Sequence, residues 1–405
     1  MPSESQIPIR SQLEARRFAI RLALFYGAIF GVVGTYLPFF TVWLKAIGID
    51  AWWIGVIVAA PSVTRFTILP FVTALAERRQ ALRGALIVTA IVTVAGFAAL
   101  GTLRQPFAVF VVFVVTACAW TPMVPLTDGY ALKGVARYGL NYGPLRLWGS
   151  AAFVVGALVC GLLVDVIAAE KLIFVIAGAA ALGAITSFGL RPLDAPARSS
   201  VAPQRTTALL RSPGFLAIIV AAALIQGSHA AYYTFASIAW QGAGFGGMTI
   251  AALWVLGVIA EIVVFALSPR FALSPALLVV IGALSAVARW LITAQDPPLA
   301  ALAVVQLLHG LTYGLTQVGT MGLLIRYVPG HVVARAQGYL TACTGIAMSG
   351  AAMLCGAIYA QQGQRVYYLM AAMAIVGALV MLLGRRWLDA HPSVVDQPHN
   401  AGSGG

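Results

Sequence analysis

The chain has 405 residues, of which 61% are hydrophobic and only 9% charged, with a mean hydropathy of +0.92 and a formal net charge of +13. A soluble domain carries about 25% charged residues, so the balance excludes one and implies a polytopic membrane protein. The basic residues sit in short gaps between apolar runs, as in cytoplasmic loops, and not on a separate basic domain, which argues against a nucleic-acid partner.

A crossing helix needs about 20 apolar residues. Residues 1–17 read as a polar, disordered cytoplasmic tail with no short apolar segment and cleavage site, so no removable signal peptide is expected and the first span directs insertion. Six runs follow, at roughly 18–44, 52–75, 82–103, 106–131, 143–168 and 171–190. A polar central loop occupies 191–213, and six more runs lie at roughly 214–239, 248–268, 275–294, 298–325, 334–359 and 366–388. Residues 390–405 read as a second cytoplasmic tail. All runs are expected to be helices, because an open sheet edge cannot sit in lipid. The predicted fold is an all-α membrane protein with twelve transmembrane helices in two pseudo-symmetric six-helix bundles, 18–190 and 214–389.

Orientation follows the positive-inside rule. With the N-terminus inside, the outer side holds only Lys45, Arg104, Lys171 and Arg365, while the inner side collects clusters such as Arg16, Arg17 and Arg21, then Arg78, Arg79 and Arg83. Both termini are therefore expected in the cytoplasm. The two halves echo each other: GTYLPFFTVWLKAIG in span 1 and AAYYTFASIAWQGAG in span 7 align Tyr36 with Tyr232, Trp43 with Trp240 and Gly48 with Gly244. Duplicated halves are a common secondary-transporter plan.

Ionisable residues inside spans cost about 2.5–3.5 kcal/mol each on insertion scales and persist where they pair or line a wet path. Between spans 4 and 5, PLTDGYALKGVARYGLNYGPLRLWG sets Asp128 against Arg146 across a short polar turn; the pair either lines the site or only pairs at the interface. Glu261, surrounded by Ile259, Ala260, Ile262 and Val263 in span 8, is the candidate for proton coupling, because burial and a nearby cation act on a carboxylate in opposite senses. Arg65 and Arg289 lie deep in spans 2 and 9 and stay charged. Arg65, Arg146 and Arg289 outnumber Asp128 and Glu261 by one, before His309 is counted; an anionic substrate would supply the missing charge, bound bidentately. Backbone carbonyls are the alternative partner for Arg65.

In span 10, Gln306, His309, Tyr313 and Gln317 fall on one helical stripe, and Gln226, His229 and Tyr233 repeat the pattern in span 7. Cavity lining is the functional reading; a satisfied structural histidine is the bland one. Phe30, Tyr36, Phe153, Tyr232 and Trp254 could stack on a ring, although most aromatics fill helix contacts, and Trp43, Trp52 and Trp53 fit an interfacial belt. Cys118, Cys160, Cys343 and Cys355 lack metal-ligand spacing and read as small buried hydrophobes.

The stretch TALAERRQALR after span 2 resembles a degenerate form of the cytoplasmic loop motif of the major facilitator superfamily, with Thr73 where glycine and Glu77 where aspartate is usual. GSHAAYYTFASIAWQGAG at 227–244, LWVLGVIAEIVVF at 253–265 and YGPLRLWGSAAF at 142–153 resemble the phenylpropionate permease-like family, a relative of the lactose permease group of oligosaccharide:proton symporters. The resemblance runs from span 1 to span 12 and implies the major facilitator fold. It also matches Asp128 with Arg146 and Arg289 with His309 to charged residues at like spacing in the sugar permeases. Thr312 stands where those carry a coupling acid, and Phe153 where they carry a sugar-stacking tryptophan, so the resemblance argues against sugar.

The expected function is a proton symporter importing a small organic acid with an apolar or aromatic body, by alternating access about a midplane site. Glu261, Asp128 and His309 are the proton-coupling candidates. The substrate candidates are Arg65, Arg146, Arg289, Tyr36, Phe153, Gln226, His229, Tyr232, Tyr233, Trp254, Gln306 and Tyr313. The expected partners are an organic anion, protons and the lipid bilayer, with a monomer in the cell inner membrane and no cofactor. No phosphate-binding loop suggests ATP use. Sugar or nucleoside uptake, drug export and a non-transporting membrane sensor are the alternatives.

Overall fold

The computed structural model describes residues 9–193, 209–329 and 332–389. Among them, eleven helical stretches are long and apolar enough to cross a membrane. The longest, Arg335–Leu388, is two helices joined by a short 3-10 turn, Gly363–Val366.

The first helices are α1 (Ile9–Ala46), α2 (Ala51–Arg78), α3 (Leu82–Leu100), α4 (Pro106–Tyr138), α5 (Tyr142–Val164) and α6 (Leu172–Phe188). Their limits follow the apolar runs within a few residues, with two exceptions: α4 continues past the expected 131, through Lys133 and Arg137, to Tyr138, and in α1 residues 9–17, expected as part of a disordered tail, are helical. RSQLEARR is polar but made of good helix formers, so the helix continues past the apolar stretch. The expected tails at 1–8 and 390–405 lie outside the described residues, as does 194–208 of the central loop.

Then come α7 (Pro213–Gly227), α8 (Ala230–Gly242), α9 (Gly247–Leu267), α10 (Pro275–Thr293) and α11 (Leu299–His309). A π-helical turn, Gly310–Leu315, joins α11 to α12 (Thr316–Tyr327), and α13 (Val333–Gln362) and α14 (Tyr367–Asp389) close the chain. Two spans are thus irregular in mid-course: one breaks at Ser228–His229, the other swells into the π turn. In lipid, such backbone is tolerated only where it is buried in protein or lines a cavity.

The chain divides into two compact units, Met1–Ser199 with Tyr233–Val255, and Ser200–Tyr232 with Leu256–Gly405. In the first, α1 packs along α5 through small residues. A Cβ on Gly34 would collide with the Phe153 carbonyl oxygen and come within 3.0 Å of the Ala157 nitrogen. Gly156 meets the Gly31 backbone in the same way. Such small-residue seams let helix backbones approach where lipid gives no hydrophobic drive. Gly34→Ala should therefore cost about 1–3 kcal/mol by overpacking, read as a lower unfolding temperature in lipid nanodiscs, because backbone cannot rotate away as a side chain would.

The proposed repeat has a backbone counterpart. Two residues past the end of α1 stands Gly48 at φ +87°, and two past the end of α8 stands Gly244 at φ +86°. Each is followed by the same reach back to the fifth residue before: the Ile49 N–H donates to the Leu44 carbonyl and the Phe245 N–H to that of Trp240, both at 3.0 Å. These left-handed glycine stops are the positions where a Cβ would be strained. The next helix is capped differently in each. Asp50 accepts the Trp53 N–H at 2.9 Å. Its counterpart Gly246 has no side chain, and Asp165, at the end of α5, instead accepts the Gly247 N–H at 2.7 Å.

Candidate functional site

In the second unit, Arg289 on α10 is fully buried. Its Nη1 donates to His309 Nδ1 at 2.8 Å and to Thr312 Oγ1 at 3.3 Å, and its Nη2 to Gln306 Oε1 at 3.0 Å. Its guanidinium lies 4.5 Å from the Tyr232 ring centroid and 4.6 Å from that of Trp290. A guanidinium carries donors only. His309 Nδ1 must then be the lone-pair nitrogen, and a neutral His309 carries its proton on Nε2. That nitrogen faces Glu261 Oε2 on α9 at 3.8 Å. A proton added at His309 would have to displace the Arg289 bond, whereas Glu261, with a quarter of its side chain exposed, can take one without breaking it.

The other branch is fixed in polarity too. His229 Nδ1 lies 3.1 Å from the Ile225 carbonyl, which only accepts, so Nδ1 carries the proton and Nε2 accepts from the Thr312 hydroxyl at 3.0 Å. Hydrogen bonds thus run from Arg289 through Thr312 and His229 to the backbone of α7. This junction joins the two irregular spans. The break after Gly227 presents His229, and the π turn presents Thr312. Close packing holds α9 beside them: Gly310 abuts the Ala260 carbonyl, and a Cβ on Gly257 would stand 3.5 Å from His309. Gln226 is buried, and its Oε1 has no hydrogen-bond partner among the described residues. Tyr313 stacks on His309, with centroids 5.5 Å apart.

Gln306, His309 and Tyr313 lie together at this junction with Glu261, Arg289, His229 and Tyr232. Thr312 was visible in the sequence only as a missing acid, yet it is the junction. Its signal was the pair Gly310 and Gly314 flanking a polar residue in an apolar run.

In the first unit, Asp128 Oδ1 accepts from Tyr26 at 2.6 Å and from Tyr142 at 2.8 Å, with Arg146 Nε 4.0 Å away. The Arg146 guanidinium lies 3.9 Å from the Phe30 ring centroid. Gly149 leaves room for that stack, since a Cβ there would come within 2.8 Å of Phe30. The carboxylate is satisfied by two phenols and the guanidinium by a ring, so their direct ion pair is long. Both side chains are about one-third exposed, at 34% and 30%.

Phe153 is buried in the seam between α1 and α5. Trp254 donates to Ser237 Oγ at 2.9 Å and stacks with Tyr233 at 6.0 Å, both within the first unit. Tyr36 sits on a cluster of rings with Phe40, Phe97, Phe113 and Trp120. Arg65 is exposed and, among the described residues, makes no hydrogen bond or ion pair, to backbone carbonyls or otherwise. Cys160 and Cys355 are buried, Cys118 and Cys343 partly so, and all four are unpaired.

The family model described as the MFS_1 like family matches residues 19–370. The chain is 32% identical over 367 residues to a protein of Escherichia coli (strain K12) named "Probable 3-phenylpropionic acid transporter", covering 87% of this chain and 94% of that one. It is 30% identical over 370 residues to the "Maltose permease" of Geobacillus stearothermophilus, covering 89% and 93%. Among solved structures, the nucleoside transporter NupG superposes with a TM-score of 0.73 at 15% identity, covering 91% of this chain and 99% of that one. A bacterial homologue of the human lysosomal transporter Spinster does so with 0.71 at 14%, covering 94% and 98%. A helical chain with buried charge in its spans, matched along most of its length by that model and those relatives, belongs to the MFS_1 like family and is a membrane transporter of the major facilitator superfamily.

Proposed function

We propose that this transporter is a proton-coupled symporter that imports a small organic carboxylate with an aromatic body by alternating access. The proposed topology is twelve crossings in two six-helix halves, monomeric in the cell inner membrane, with both termini cytoplasmic. The observation that carries the reading is the chain from Glu261 through His309 to Arg289. It sets one carboxylate able to load a proton beside a neutral imidazole whose remaining N–H points at it. Loading neutralises Glu261 and withdraws the anion facing His309, so proton occupancy is transmitted to the Arg289 junction through a ring of fixed tautomer. Gln226 Oε1, buried without a partner among the described residues, supplies an acceptor for a ligand or water at the same junction. A relative named for 3-phenylpropionic acid supports the carboxylate.

The relative named "Maltose permease" supports sugar as the second reading. Counterflow separates them. Vesicles holding the full chain and preloaded with 3-phenylpropionate, maltose or a nucleoside should show tracer uptake with the aryl acid alone, and an inward proton gradient should then drive accumulation. Counterflow with maltose and none with the acid would replace the carboxylate reading by the sugar one.

A further inference from the structure

Arg65 is the fifteenth residue of the 28-residue α2, about 20 Å from either helix end at 1.5 Å per residue. That is beyond the reach of its side chain, so snorkelling to a headgroup is not available to it. A guanidinium at such depth needs an acceptor, and with no hydrogen bond or ion pair among the described residues Arg65 is left with water or an anion. Pro61 and Pro70 bracket it within the helix, and Thr64, beside it, lies 2.7 Å from Thr121 on α4, oxygen to oxygen. That contact sets the Arg65 turn of α2 beside the Trp120 turn of α4.

The Tyr36 ring lies 6.3 Å from Trp120 and 4.9 Å from Phe40, over a buried floor completed by Phe97 and Phe113. Tyr36 and Trp120 are only partly buried, and among the described residues neither the phenol nor the indole N–H makes a hydrogen bond. Three unused polar groups therefore rim an aromatic surface. Two of them are donors only, and the phenol can do either. Such a rim suits an anionic acceptor on a flat apolar body. A cation would bring only donors to a rim that is mostly donors, and would leave them unsatisfied there.

We propose that Arg65, Tyr36 and Trp120 form an aryl-carboxylate subsite in the first unit, with the guanidinium taking the carboxylate and the two rings the aromatic body. The inference rests on the carboxylate reading above and adds a division of labour: the anion is held on α2, while the proton is handled in the second unit.

The test uses the full chain in lipid nanodiscs, with radiolabelled 3-phenylpropionate competed by 3-phenylpropanamide and 3-cyclohexylpropionate. Arg65→Gln should weaken the acid about thirtyfold, while the neutral amide changes by less than about threefold. Trp120→Leu should weaken the phenyl acid about fivefold to tenfold and the cyclohexyl acid much less. In the wild-type chain, 3-(4-azidophenyl)propionate should label peptides carrying Tyr36 or Trp120, a readout that needs no variant to fold. Equal losses for acid and amide, or label confined to the second unit, would overturn the subsite while leaving the carboxylate reading intact. Absence of any aryl-acid binding by the wild-type chain would remove both.

Discussion

Glu261→Gln should abolish proton-driven accumulation while sparing counterflow. Glutamine keeps the shape of the side chain and an oxygen that can face the His309 Nε2–H, so the contact at 3.8 Å survives in outline. What it loses is the ability to exist in two charge states. A gradient of one pH unit is worth about 1.4 kcal/mol per proton, or about tenfold accumulation for a one-to-one symporter. The wild-type chain should approach that ratio in vesicles, and the variant should stop near equal concentrations on both sides. Exchange of labelled for unlabelled acid needs no net proton movement, so its rate should fall far less. Undiminished accumulation by Glu261→Gln would take the coupling role from this residue and leave Asp128 as the remaining acid among the candidates. Loss of exchange as well would mean that the carboxylate is needed for the conformational cycle itself.

The spans were legible because water is missing from the hydrocarbon. Every crossing must be a long apolar helix, and hydropathy reads length and apolarity directly. The start of α1 at Ile9 was not, since a polar helix that continues beyond the apolar stretch leaves no hydropathy trace. The ionisable residues of the site stood out for the same reason the spans did: Glu261, Arg289 and His309 are conspicuous in apolar runs. Their partners were not legible. Charge counting assumed that each arginine would find a carboxylate, but Arg289 donates to an imidazole, an amide and a hydroxyl, and Arg146 rests on Phe30. Neutral acceptors in a dry interior are strong partners for a guanidinium, and a count of formal charges cannot see them. Thr312 was overlooked for its chemistry, not its position: at i+3 from His309 it falls on the same helical face, but a hydroxyl adds nothing to a count of charges.

Arg289→Ala should have the largest effect on both stability and transport, and the reason lies in what it leaves behind. His309 Nδ1 and Gln306 Oε1 lose their N–H partner together in a buried site. An unsatisfied buried acceptor costs about 1–3 kcal/mol, so the pair should cost about 2–6 kcal/mol in unfolding free energy. Relief of the desolvation of a fully buried guanidinium works against that loss, and Arg289→Lys separates the two effects. Lysine keeps the charge but presents a point ammonium in place of a fork, so it can serve His309 or Gln306 but not both in this geometry. The lysine variant should fold with a smaller loss and still fail to accumulate substrate, because the orientation of His309 toward Glu261 depends on the Nδ1 bond. A double-mutant cycle of Arg289→Ala with Gln306→Ala then reads the coupling, which should be at least about 1 kcal/mol for groups sharing one hydrogen-bond network. Simple additivity of the two losses, or a lysine variant that accumulates substrate like the wild type, would show that Arg289 only fills space and that the His309 tautomer is set by something other than this fork.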